Sequence, residues 1–318
     1  MIYKLKKISG DASFREFYRL KKGNKTSIIV KSKKDHFNNL ILYCAINDIL
    51  IKNKILAPKL LNHFFDDKMI EITDFGKISY FNLAKKKDLF NLYKPLIKLI
   101  IKTQKIKFKK KYIYKKKKIS VQKYNLDILH KESDLFFDWY LKFQLKNYNL
   151  SRIKFIIKKE LSKIYKKLTY KNEFFVHRDF HASNIMSFKG NPALIDNQDA
   201  IIGNPLYDVA SLIDDVRIKI SKKDKEKLLN FYEQNTNLKM KTKHIKNDFD
   251  ILSLQRNLKI LGIFVRLYKR DGKKKYLKYI PNTWDLINFR LKNPIFDDLK
   301  NKFYKLLPLK RLQNKKMK

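Results

Sequence analysis

The sequence predicts an α+β protein in which a small β-rich N-terminal lobe precedes a larger, mainly helical lobe. Three observations carry this. Up to residue 73, short strand-like runs surround a single helical stretch. Beyond residue 76, apolar residues recur at helical spacing. The chain has 318 residues with 44% apolar content, enough for a substantial core. The break at Asp74-Phe75-Gly76 marks the boundary, giving lobes of residues 1–75 and 76–318.

The elements follow in order. Phe14–Leu20 and Thr26–Lys31 flank the turn-like KKGNK and read as a hairpin. Phe37–Lys52 reads as an amphipathic helix, and Lys68–Thr73 as another strand. Leu89–Thr103, Leu126–Leu145 and Ile153–Leu168 carry helical periodicity. Pro192–Asp196 (PALID) is a short strand inside the helical half. Lys105–Lys118 holds nine lysines and no acid, and is expected to be a solvated loop. There is no internal repeat.

The net charge is +44. It is spread over almost every segment, and the chain is rich in Lys, Ile, Asn, Tyr and Phe, all residues with A/T-rich codons. Base composition accounts for the bias, so no specific nucleic-acid partner is expected. Such charge bears on solubility and self-repulsion more than on fold. No apolar run approaches the roughly 18 residues of a membrane span, and no apolar segment follows the basic start to make a signal peptide. Cys44 is the one cysteine, which excludes a disulfide framework and a cysteine-based zinc site. A cytoplasmic monomer is the expectation. Arginine is scarce, with 10 of the 74 basic residues. A position written Arg in such a chain points to a need for the planar five-donor fork.

The chemistry concentrates in Val176–Asn184, VHRDFHASN. Asp179 can accept a proton from a substrate hydroxyl. Asn184, five residues on, offers a neutral oxygen to a metal. Asp196, twelve residues further and just after an apolar strand, can add an anionic one. A base, an amide and an acid at these spacings are the parts of a Mg-ATP phosphoryl transferase, where catalysis is mostly positioning and electrostatics.

HRDFHASN resembles the catalytic loop of the kinase-like aminoglycoside phosphotransferase family, with His181 where protein kinases carry a lysine. Leu194–Asp215 resembles the rest of that signature. Gly10–Leu20 and Gln255–Pro281 resemble the sub-family of bacterial cell-wall-recycling kinases that phosphorylate N-acetylmuramate and N-acetylglucosamine at the anomeric hydroxyl. The resemblance runs from about residue 8 to about residue 290, and three motifs in the right order are far more specific than one. It implies a two-lobed protein-kinase-like fold using ATP and Mg²⁺. Asp179 would be the catalytic base, and Asn184 and Asp196 the metal ligands. Ser9–Phe14, with Gly10, Asp11 and Ser13, would form the loop over the nucleotide phosphates. Lys31 would reach those phosphates, Glu71–Asp74 would be the hinge meeting the adenine, and Asp208 would brace the catalytic loop.

Three departures from the family pattern stand out. The phosphate loop has Gly10 alone. Residues 38–52 contain no Glu to pair with Lys31, Asp48 being the sole acid there. Asn197 replaces an aromatic after the metal Asp. Asp74-Phe75-Gly76 spells a protein-kinase metal motif, but it precedes HRD by about a hundred residues and reads as a hinge turn.

Blander roles are weighed beside these. His177 and Arg178 are expected to support the loop, and His181 either to line the site or to be structural. His36, His63, His130 and His244 carry no partner pattern, and Trp139 and Trp284 read as packing residues. Asp199 and Asp215 are candidates for sugar hydroxyls or for caps. Arg256 and Arg266, with Arg270, either pair with acids or, in one case, bind a carboxylate such as the lactyl group of N-acetylmuramate. The function expected is ATP-dependent phosphorylation of a small sugar. The alternatives are an aminoglycoside-type kinase and a non-catalytic basic nucleotide- or RNA-binding pseudokinase.

Overall fold

The computed structural model describes residues 3–8, 15–33, 37–85, 88–238 and 241–313. The chain divides into two compact units, residues 1–122 with 174–202, and residues 123–173 with 203–318. This division does not fall near residue 75. Helices after that point and the VHRDFHASN segment pack with the strands, because the segment's hairpin bonds back to the chain after the first helix, Leu194 N–H donating to Leu56 O at 2.8 Å.

In the first unit, five antiparallel strands form one sheet in the order β1-β2-β3-β5-β4: β1 (Tyr3–Ile8), β2 (Arg15–Lys22), β3 (Lys25–Ser32), β4 (Leu60–Phe64) and β5 (Met69–Thr73). The β2–β3 hairpin expected from sequence is present, running two residues further toward the turn on β2 and one residue further at each end of β3, with Phe14 outside the described residues, while β1 and β4 carry no pattern that marks them. Their residues are mostly exposed on both faces, so no two-residue alternation marks them. Helix α1 (Phe37–Lys52) covers the sheet with Leu40, Tyr43 and Cys44 against Val30, Ile70 and Ile72. Burial pushes the Cys44 thiol up to about 12, so it behaves as a small apolar group.

The lysine-rich stretch is not the solvated loop expected. It folds as a hairpin, β6 (Lys111–Tyr114) with β7 (Lys117–Ser120). Tyr112, Tyr114 and Ile119 pack on Ile41 and Ala45, a second side of α1. This corrects the α1 expectation too: the helix is apolar on two sides because two different sheets cover it. The lysines Lys115–Lys118 at the tip stay exposed. Helices α2 (Tyr80–Leu83) and α3 (Leu89–Gln104) follow in this unit, α3 capped by Asp88 accepting from Phe90 N–H. Strands β8 (Phe174–Val176), β9 (Ile185–Phe188), β10 (Asn191–Leu194) and β11 (Ile201–Gly203) frame the site, and α3 packs on β8 and β10.

The second unit is helical. Its elements are α4 (Leu126–Leu135), α5 (Lys142–Gln144), α6 (Leu150–Tyr165), α7 (Leu206–Ile213), α8 (Lys222–Asn235), α9 (Thr242–Asp271), α10 (Ile280–Arg290), α11 (Asp297–Leu306) and α12 (Leu309–Leu312). A π-helical turn, Phe136–Leu141, interrupts the helix expected over Leu126–Leu145. It aims Phe136 and Tyr140 at the buried Trp284, whose indole N–H donates to Tyr140 Oη at 2.8 Å. The 30-residue α9 is the spine, buried almost continuously from Asp248 to Gly262.

Candidate active site

The site is built on β8, the loop behind it and the β9–β10 hairpin. Strand β8 is apolar and buried, which fixes where the chain leaves it at His177. The His177 ring is fully buried and its Nε2 lies 3.0 Å from Ile195 O, so that nitrogen carries the proton and donates. Phe180 sits buried, edge-on to the same ring. Arg178 takes a left-handed backbone, φ 78°, between them. The loop then closes on the carbonyl of Asp179. His181 N–H donates to it at 3.0 Å and Asn184 Nδ2 at 3.1 Å. Asn184 N–H in turn donates to His181 O at 2.8 Å. Two donors on one carbonyl hold the Asp179 backbone in place.

The hairpin register explains the twelve-residue spacing. Ile185 pairs with Leu194, and Ile195 N–H donates to Asn184 O at 3.0 Å. Asn184, entering β9, and Asp196, leaving β10, therefore lie at the same open end. Asp196 is left-handed, φ 65°, an unusual cost for a non-glycine residue and one typical of functional turns. Its Oδ1 accepts from Arg15 Nη2 at 2.8 Å and from Gln198 Nε2 at 3.1 Å. Gln198 also donates to Asp199 Oδ2 at 3.0 Å. Asn197 is fully buried, and its amide donates to Asn47 Oδ1 at 2.7 Å, tying the turn to α1. The polar residue that departs from the family pattern thus anchors the turn from behind.

These side chains fit Mg²⁺. Asn184 commits its Nδ2 to the Asp179 carbonyl, which leaves Oδ1 as its remaining polar atom. Asp196 commits Oδ1, which leaves Oδ2 on a side chain that is 38% exposed. Two hard oxygens with one net charge suit a magnesium ion that draws its other ligands from phosphates and water.

The other expected residues fall as follows. Gly10, Asp11 and Ser13 lie outside the described residues. Lys31 is exposed on β3 opposite Glu16. Glu71 is buried and accepts from Ser27 at 2.5 Å and Asn62 at 2.7 Å. Burial pushes its carboxyl up, but these two bonds outweigh it and hold the group below its ordinary value. Asp74 is held low in the same way, burial being outweighed by Arg19, which grips it with two bonds of 2.6 and 2.9 Å. Both carboxylates of the expected hinge are thus engaged within the protein. His181 is buried with Nε2 at 3.4 Å from Asn184 Nδ2, and Asp199 is exposed. Asp208, Asp215, Arg256 and Arg266 belong to the helical unit. Asp208 is buried on α7, and Asp215 accepts from Arg217 N–H and Nη1, both at 3.1 Å. Arg256 is 4% exposed on α9, without a side-chain partner among the described residues. Burial, then the charge of Arg270, lowers the Arg266 guanidinium.

Sequence reasoning missed Arg15 and Gln198 as the partners of Asp196. The scarcity of arginine was the signal that could have found Arg15.

Comparison with known proteins shows what the chain is similar to. Residues 127–240 match the phosphotransferase enzyme family. The chain is 27% identical over 282 residues to an N-acetylmuramate/N-acetylglucosamine kinase of Pseudomonas aeruginosa, covering 86% of this chain and 79% of that one. It is 23% identical to a protein of the same name from Neisseria meningitidis, covering 86% and 81%. Among solved structures, the ADP-bound aminoglycoside phosphotransferase APH(2'')-Ib superposes with a TM-score of 0.59 at 15% identity, covering 89% of this chain and 92% of that one. Plasmodium vivax ethanolamine kinase superposes with a TM-score of 0.65 at 15% identity, covering 93% and 84%. The kinase-like fold and the phosphotransferase resemblance read from the sequence are both borne out, and with them an enzymatic role.

Proposed function

We propose that this phosphotransferase moves the γ-phosphoryl group of ATP to the anomeric hydroxyl of an amino sugar, N-acetylmuramate or N-acetylglucosamine, in the cytoplasmic recycling of peptidoglycan. The observation that supports it most directly is the placement of Asn184 and Asp196 at one end of the β9–β10 hairpin, with Asn184 also bonded to the Asp179 carbonyl. The names of the relatives support the sugar.

Asp179 accepts the hydroxyl proton of the sugar and orients its oxygen. An anomeric hydroxyl is more acidic than an ordinary alcohol, so a carboxylate is base enough. Asn184 and Asp196 would hold Mg²⁺ through Oδ1 and Oδ2, and the ion would supply charge neutralisation for the phosphates. His177 and Phe180 keep the loop in shape, and the backbone of Glu71–Asp74 meets the adenine. The high positive charge argues against a polycationic acceptor.

Phosphorus NMR of the purified protein with ATP and each sugar tests this. The expected product is a sugar 1-phosphate, seen as a phosphorus resonance coupled to the anomeric proton. Phosphorylation at any other carbon, or ATP turnover with neither sugar, overturns the assignment.

A further inference from the structure

We propose that Arg15, and not Lys31, is the strand cation that meets the nucleotide phosphates beside the metal carboxylate. The inference rests on the nucleotide-dependent reading above and adds a residue to it.

The pleat of the sheet separates the two candidates. Register pairs Glu16 with Lys31 and Arg15 with Ser32, and residues paired across antiparallel strands share a face. Arg15 lies on the face covered by α1, along with Phe17 and Val30, which pack with Leu40 and Tyr43. Lys31 lies on the other face, exposed beside Glu16. Asp196 is on the Arg15 side, its Oδ1 2.8 Å from Arg15 Nη2. A lysine at Ser32 could reach the same region. This chain has a serine there, and the arginine of the neighbouring strand occupies the space.

The surroundings of Arg15 suit a preset anion-binding group. Its side chain is 5% exposed. The guanidinium lies over the rings of Phe17 and Tyr43, 5.6 and 5.2 Å from their centroids, so its plane is restrained. One face of Asp196 is left for a metal while the other holds the guanidinium, and a planar fork can bond a carboxylate and a phosphate oxygen at once. Helix α1 does not compete for it. Its one acid, Asp48, pairs with Lys52 at 2.8 Å on the exposed side. A strand cation with no helix glutamate to hold it is held here by the metal carboxylate itself. Arg15 also follows directly on residues 9–14, the segment expected over the phosphates.

Isothermal titration of the full chain with MgADP and with adenosine tests the proposal. Arg15→Gln is expected to weaken MgADP about tenfold or more, the range of a lost charge-assisted bond, and to leave adenosine within about threefold. Arg15→Lys is expected to fall between wild type and Arg15→Gln. Lys31→Gln is expected to leave both ligands within about threefold. The proposal is overturned by unchanged MgADP affinity in Arg15→Gln, by an equal loss for adenosine, or by a tenfold loss in Lys31→Gln. If Arg15→Gln does not fold by circular dichroism, the comparison of Arg15→Lys with Lys31→Gln decides, the greater loss naming the phosphate cation. A wild-type chain that binds no MgADP sinks the nucleotide-dependent reading as a whole. A wild-type chain that binds while Arg15 variants are indifferent sinks this inference alone.

Discussion

Asn184 divides its side chain, its amide nitrogen on the Asp179 carbonyl and its oxygen left for the proposed metal. That division makes the proposed base and the proposed metal ligand parts of one rigid loop. Replacing Asp179 by Asn keeps the shape and removes the proton acceptor. We expect kcat to fall by about 10²- to 10⁴-fold, the usual range for a general base, with the dissociation constant for MgADP within about threefold of wild type. Rapid-quench turnover and nucleotide titration check the two halves, and normal turnover in Asp179→Asn would remove Asp179 from the mechanism. At this scale the sequence was informative where spacing maps onto a short hairpin. Asn184 and Asp196 are brought to one end of a hairpin because two four-residue strands and a tight turn span the gap between them. Arg15 was not found, because its partner lies 181 residues away and local spacing carries no such information.

Helix α9 illustrates how one missing side chain sets a helix contact. A Cβ added at Gly262 would stand 2.1 Å from the backbone oxygen of Leu135 and 2.6 Å from its Cβ. Backbone cannot step aside as a flexible side chain can, so Gly262→Ala must push α9 from the end of α4. We expect a loss of stability at the upper end of the roughly 1–3 kcal/mol typical of overpacking, read as a lower urea midpoint at constant slope. A midpoint equal to wild type would contradict the close approach. The same scale holds the readings that failed. The lysine run looked like a loop because charge dominates its composition, yet Tyr112, Tyr114 and Ile119 lie on one face of its hairpin and cover α1. A segment of mixed character takes its structure from what it can cover. The π turn at Phe136–Leu141 is likewise invisible to a helical pattern search, since one extra residue in a turn changes phase without changing composition.

Across the whole molecule, a few acids carry large structural weight in a chain of charge +44. Asp214 is fully buried and accepts from Lys225 at 2.5 Å, Ser253 at 2.5 Å and Arg290 at 2.8 and 3.0 Å. Burial pushes its carboxyl up, but Lys225 and Arg290 outweigh it and hold the group far below its ordinary value of 3.8. The unfolded chain therefore takes up a proton near 3.8 that the folded chain refuses. Stability from this site is complete above that pH and is lost progressively below it. Asp74 and Glu71 act in the same direction. Asp250, which burial pushes up even beside Arg290, acts in the opposite one. We expect the unfolding temperature to fall as pH drops below about 4. Arg290→Met should cost about 3–5 kcal/mol at pH 7, because it takes the cation from buried Asp250 and one of the two cations from buried Asp214, and should flatten the acid limb. An acid limb unchanged in Arg290→Met would show that other groups govern it.

The β2–β3 hairpin, the helical stretches that became α1, α3, α4 and α6, the strand leading to Asp196 and the HRDFHASN motif were legible in the sequence alone, since each depends on residues within about twenty positions of one another. The tertiary structure decided which cation faces Asp196, what covers the second side of α1, and where Asp214 finds its partners. Those outcomes depend on which face of a sheet or helix meets another element, a property of packing that no local stretch of chain encodes.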